Sequence, residues 1–418
     1  MNLIPVPIYR SFLITFLLCC LVNFVWSFEE NAVDREPVLL IKLQKSYQTR
    51  SFIDGAWTEP ESLADSEIGK ILAKCNDPGF KCTSFSDEIL ERGIRNTNSM
   101  TNTIHINSRN NDHERSYFCA TSWSGFSVEC MDDSIEDCVE SLPKRKTQSF
   151  WCTKLPAEDN KDLEHYYEFN VYTFSRTGAE NAETFTGGFR FLENYIPGFR
   201  NRTGITVTYQ LPVKGGKIKL DDTENKLESS YQHFADQVGS HIVIRTCSKI
   251  SAGVQVSFHG LGDRMAFNAN TMESYHPFLN KMQTGSDVEC YDNTKLAYSV
   301  PIDKEKDEYY VCFGDLPRDA FGQVRSGGLY CWIDKKLNLD LRCNTVPGFL
   351  YEEITYNQEA SLMAPALFEE EEYSEWFSDC PEEVRRPVLE ALKKEYARAK
   401  KARNEPPTVQ YPRSFDEL

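Results

Sequence analysis

Between Leu227 and Gly253 the chain spells out a helix, its stop signal and a strand in immediate succession. Leu227, Tyr231, Phe234 and Val238 recur at helical spacing and line one face. Asp222 or Thr223 suits the N-terminal cap, and Gly239 stands where a left-handed residue closes a helix. Ser240 and His241 then lead into Ile242-Val243-Ile244-Arg245-Thr246, a run rich in β-formers.

Tyr-x-x-Phe-x-x-x-x-Gly-Ser-His, with Ala252-Gly253 a dozen residues on, resembles the signature of the membrane attack complex/perforin (MACPF) domain. Val238, Ser240, Ile242 and Ala252 depart from the family's usual residues. The resemblance implies an α/β (α+β) fold: a bent, twisted antiparallel central sheet with flanking helices and two helical insertions. It assigns Tyr231, Phe234, Gly239, Ser240 and His241 to a structural helix–strand junction and Gly253 to a strand bend. It also implies a secreted, membrane-associated protein that oligomerises with itself on membrane lipids and forms pores.

The first 27 residues read as a secretory signal peptide, with Arg10 ahead of an apolar stretch and Val25-Trp26-Ser27 as a cleavage site. Cleavage removes Cys19 and Cys20, leaving twelve of fourteen cysteines, and takes the net charge from −17 to −18. An even cysteine count in a secreted chain without Cys-x-x-Cys argues for disulfides and against a metal site. The acidic balance argues against nucleic acid as a partner and against unaided approach to an anionic membrane. Asn201-Arg202-Thr203 is a glycosylation sequon suited to a surface loop. The expected organisation is an N-terminal segment (28–44), one domain (45–400) and a flexible tail (401–418).

Residues 28–115 read as polar and loop-rich, and 96–112 as an exposed loop dominated by Asn, Thr and Ser. Cys75 and Cys82 flank Asn76-Asp77-Pro78-Gly79-Phe80 and suit a small closed loop. Two echoes follow. Cys119 and Cys247 each precede a glycine by six residues. Cys130 and Cys290 each precede a further cysteine, Cys152 and Cys312, by 22. The equal spacing suggests pairing Cys130 with Cys152 and Cys290 with Cys312.

Laid on the MACPF template, strand one falls near 116–129, its insertion near 130–160, and strand two at Tyr166–Arg176. Strand three covers about 241–258, the second insertion 259–318, and strand four starts at Gly327-Gly328. A membrane-spanning strand needs about 9–11 residues with one apolar face. The 130–152 segment has clustered acids, Pro143 and Lys144-Arg145-Lys146 in place of that alternation. A non-lytic, disulfide-stapled extracellular interaction or signalling protein, with an extracellular protein partner, is therefore the alternative. The terminal Phe415-Asp416-Glu417-Leu418 resembles an ER-retrieval signal and adds an ER-lumenal reading. Near the C-terminus Pro387 suits a first helical position, with Leu389, Leu392 and Tyr396 as an apolar stripe.

Nucleophile-elbow, zinc-protease and phosphate-loop motifs are absent, so neither catalysis nor a cofactor is expected.

Overall fold

The computed structural model describes residues 37–86, 88–89, 94–95, 101–109, 116–122, 146–170, 174–175, 191–193, 199–210, 230–245, 266–268, 292–300, 308–316, 326–344 and 375–404. The fold is mixed α and β, built on two large sheets where a single central one was expected. The first sheet is centred on β1 (Val38–Lys42), β2 (Gln48–Ile53), β3 (Phe80–Ser86), β4 (Thr103–Ser108), β5 (Ser116–Thr121) and β6 (Thr147–Leu155), in spatial order β3-β4-β5-β6-β1-β2. The second contains β7 (Thr206–Gln210), β8 (His241–Arg245), β9 (Leu296–Val300), β10 (Tyr310–Gly314) and β11 (Gly327–Ile333), in order β7-β11-β10-β9-β8. Shorter strands extend the edges. Among the described strands pairing is antiparallel except at two short places, Asp292–Asn293 on β6 and Ala266–Asn268 on β8.

Among the described residues six α-helices accompany the sheets: α1 (Glu67–Leu72), α2 (Ala157–Asn170), α3 (Phe199–Thr203), α4 (Ser230–Val238), α5 (Lys335–Cys343) and α6 (Glu382–Asn404). One core cluster draws side chains from both sheets and from α2, α5 and α6. At its centre Trp151 stacks on Tyr330 and on Trp332, each at 5.4 Å between ring centroids. A second cluster joins α1 to the opposite face of the first sheet, and a third joins α4 to the opposite face of the second. Each sheet is thus buried on both faces, which is why β1 reads Val-Leu-Leu-Ile without alternation.

The two halves repeat one plan. The succession β1, α1, β3, β4, β5, β6, α2 is matched by β7, α4, β8, β9, β10, β11, α5, with the same neighbours in each sheet. Details repeat as well. Cys119 and Cys152 face one another across β5 and β6 and are disulfide-bonded, as are Cys312 and Cys331 across β10 and β11, both with Cα atoms 4.1 Å apart. Thr121 N–H donates to Asn102 O, and Gly314 N–H donates to Lys295 O. Ser122 N–H donates to Ser149 O, and Asp315 N–H to Gly328 O. Asn160, fourth in α2, donates its amide to the carbonyls of Ile106 and Tyr117. Asn338, fourth in α5, donates to the matching carbonyls of Ser299 and Tyr310.

Several expectations are corrected here. Cys152 pairs with Cys119 and Cys312 with Cys331, so the proposed Cys130–Cys152 and Cys290–Cys312 bonds do not form. Cross-strand register brings these sulfurs together, and equal spacing along the chain is no guide to it. Cys75–Cys82 closes its small loop as expected, and Cys343–Cys380 joins α5 to the segment before α6. Cys130 and Cys290 lie outside the described residues.

The supposed insertions hold core strands: β6 lies within 130–160, and β9 and β10 within 259–318. Residues Tyr166 to Asn170, expected in a strand, continue α2. Helix α2 directs Asn160, Leu163 and Glu164, at helical spacing, into the protein. The 96–112 loop contains β4, whose Ile104 and Ile106 enter the core beneath α1 while Thr103, His105 and Asn107 are buried on the opposite face. β1 falls within the 28–44 segment set outside the domain, yet pairs with β2 and β6. Gly327–Ile333 is a strand, as strand four of the template required.

Pro387 sits inside α6, which starts after Pro381, whose carbonyl accepts from Val384 and Arg385 N–H. The buried face of α6 is Val388 and Ala391, flanked by Val384 and Leu389. The helix also runs to Asn404, into the segment expected to be a flexible tail. Residues 1–27, the remainder of that tail and its terminal Phe-Asp-Glu-Leu are outside the described residues.

Candidate functional site

The signature residues do come together, as a packed junction. Tyr231 is buried and donates its hydroxyl to Leu316 O at 3.1 Å. Gly314 lies under that hydroxyl, and any Cβ there would collide with it. Phe234 meets the Tyr310 ring edge-on, with centroids 5.4 Å apart. Gly239 has φ +64°, and Ser240 N–H reaches back to Ala235 O at 3.2 Å. That is the six-to-one bond of a Schellman stop, so the glycine is required by conformation. Its surroundings are open, with nothing within 4 Å of a Cβ built there. His241 opens β8, buried, with its ring 5.1 Å from Trp376. Gly253, Leu227 and the Asp222–Thr223 cap lie outside the described residues.

A second polar constellation lies between α2 and the first sheet, where the sequence reading placed nothing. Glu164 accepts from Thr83 Oγ1 at 2.6 Å, Lys81 Nζ at 3.1 Å and Asn107 Nδ2 at 2.8 Å. His105 Nδ1 is 3.0 Å from Asn160 Oδ1, and its ring meets Phe85 and Phe118 edge-on. Burial pushes His105 down to about 4, opposed only in part by the Glu164 charge and by Asn160. For Glu164, burial alone would raise the pKa. Thr83, the His105 charge and Lys81 more than offset it, so the carboxyl is held below its usual range. Asp159, fully buried, pairs with Arg202 of α3, and this bond holds the guanidinium above its usual value. The signal for this site was the alternation Thr-Ile-His-Ile-Asn, hidden because its inward residues are polar.

A third group lines the seam where the halves meet. Thr101 and Tyr209 hydroxyls are 2.6 Å apart, Asn293 Nδ2 donates to Ser122 O at 2.8 Å, and Ser149 Oγ bonds Thr294 O. Lys42 donates to Lys146 O at 2.8 Å, and its burial lowers it to about 8. Lys295 Nζ donates to Asp315 O, while Asp315 Oδ2 accepts from Gly328 N–H at 2.9 Å. The Thr101–Tyr209, Asn293–Ser122 and Ser149–Thr294 bonds tie one half to the other, and those of Lys42, Lys295 and Asp315 answer buried polar groups within each half.

Asn201 is exposed on α3, a short helix where a loop was expected. Its neighbours reach in opposite directions: Arg200 to Tyr310 of the second half at 2.5 Å, Arg202 to Asp159 of the first. Among the described residues, no group of three or more His, Cys, Asp or Glu side chains converges as metal ligands would. No helix among them is long and apolar enough to cross a membrane. Compared with protein-family models and with curated proteins, the chain matches none.

Proposed function

We propose that the protein is a non-lytic, disulfide-stapled extracellular interaction protein. Four disulfides among the described residues fit an oxidising compartment on the secretory route. The observation that carries the reading is the position of β6, β9 and β10. A perforin-like mechanism would need the segments 130–160 and 259–318 to leave the domain as membrane-spanning hairpins. Here those segments supply central strands: β6 lies between β5 and β1, and β10 between β9 and β11. Cys152 and Cys312 are fully buried and bonded to neighbouring strands. Release would tear both sheets and expose the Trp151–Tyr330–Trp332 stack. The net charge of −17 also opposes approach to an anionic bilayer.

A helix stop at Gly239 is by itself sufficient to produce the Tyr231–His241 part of the MACPF-like pattern. The test is dye release from liposomes of neutral, anionic and sterol-containing composition, using the mature protein from Phe28, oxidised and then reduced. No release is expected from folded protein in either state. Release by oxidised protein would overturn the reading, and release only after reduction would make the disulfides a catch on a lytic machine.

A further inference from the structure

The duplicated plan exposes a difference between its halves. The same position in each holds a helix pinned to a strand pair by an asparagine, Asn160 in α2 and Asn338 in α5. Around these matching pins the chemistry differs. One turn further along, α2 carries Glu164 and α5 carries Arg342. On the facing strand, β4 presents His105 and β9 presents Tyr298 at the equivalent register. The fastening of α2 is thus made of groups that change charge as acid is added. Burial pushes the Tyr298 hydroxyl further up, away from the acid range. α5 is also covalently held through Cys343–Cys380 and by Arg342 to Asp379 at 2.9 Å. No disulfide of the described residues reaches α2.

We infer that α2 is an acid-released latch: protonation of His105 and Glu164 frees it from the first sheet while α5 stays docked on the second. Every charged or titratable group facing the latch bears on this. Glu164 and Asn160 approach His105 from α2; Thr83 and Phe85 approach from β3, and Phe118 from β5. Lys81 and Asn107 bond Glu164 from β3 and β4. Asp159 of α2 holds Arg202 of α3. At neutral pH the imidazole is uncharged and the ionised Glu164 carboxylate accepts from Lys81, Thr83 and Asn107. Acid puts a positive charge on a ring enclosed by Phe85, Phe118 and the α2 backbone, and neutralises the carboxylate that Lys81, Thr83 and Asn107 share. Both changes push in the same direction.

The test is hydrogen exchange on the full mature protein at pH 7 and pH 4.5, corrected for the intrinsic rate and read on peptides from α2 and α5. Opening of α2 is expected to rise on the order of tens of fold, with α5 unchanged. Glu164→Gln, which keeps an acceptor but cannot titrate, is expected to blunt the response, and so is His105→Gln. Equal protection of α2 at the two pH values overturns the inference. So does simultaneous opening of α2 and α5, which would signify global acid unfolding. The wild-type comparison decides the matter even if neither variant folds.

Discussion

Gly239 and Asn338 carry structural demands that single substitutions can measure. Gly239 holds φ +64° with open space around it, so Gly239→Ala adds backbone strain and no clash. The expected loss is about 1–2 kcal/mol in urea denaturation, and Gly239→Asn should recover part of it. Asn338→Ala removes the donor to two buried carbonyls and should cost about 1–3 kcal/mol for each acceptor left unsatisfied. Phe234, fully buried under the second sheet, should cost about 3–5 kcal/mol when cut to alanine. His105 sets a pH dependence whose sign is fixed. Its folded pKa, about 4, lies below the unfolded value near 6.5. Its contribution is therefore complete above pH 6.5 and is lost as pH falls towards 4, on the order of 3 kcal/mol in all. Glu164, also lowered, contributes above its unfolded value and loses that contribution in acid. Chemical denaturation at pH 7, 5.5 and 4.5 should show this decline in the wild type and a shallower one in Glu164→Gln.

At the scale of elements, the junction from Tyr231 to Arg245 was legible because every local signal agreed: an apolar stripe, a glycine stop, then β-branched residues. β4 was not, since a strand whose inward residues bond to a helix looks like a loop until that helix is known. α2 was misread beyond Tyr166 because aromatic residues favour strands locally. The inward face formed by Asn160, Leu163 and Glu164 is a tertiary feature and outweighs that preference. The disulfides repeat the lesson. Cys75–Cys82 is a local loop and was readable, whereas Cys119–Cys152 and Cys312–Cys331 follow from strand register. Cys343–Cys380 fastens α5 to the segment carrying Trp376 and Phe377, both in the core. Replacing both cysteines with serine should lower stability by about 2–5 kcal/mol, seen as a lower Tm with the fold retained.

For the whole molecule, the duplicated plan is real but is not the one the cysteine echoes suggested. Cys119 corresponds to Cys312 and Cys152 to Cys331, while the spacing had matched Cys152 with Cys312. The polar seam was invisible for a similar reason. Thr101 meets Tyr209, and Ser149 meets Thr294, only once two halves far apart in the chain are laid together.

The short strand Asp292–Asn293 has a consequence for biogenesis. It lies along β6 in parallel, so the first sheet is finished by residues made roughly 140 positions after β6 itself. At synthesis rates of about 5–20 residues per second, the nascent first half waits on the order of ten seconds with Trp151 and its neighbours uncovered. A ribosome-released chain ending at Gln210 should therefore stay bound to lumenal chaperones, and only chains extending past β11 should leave them.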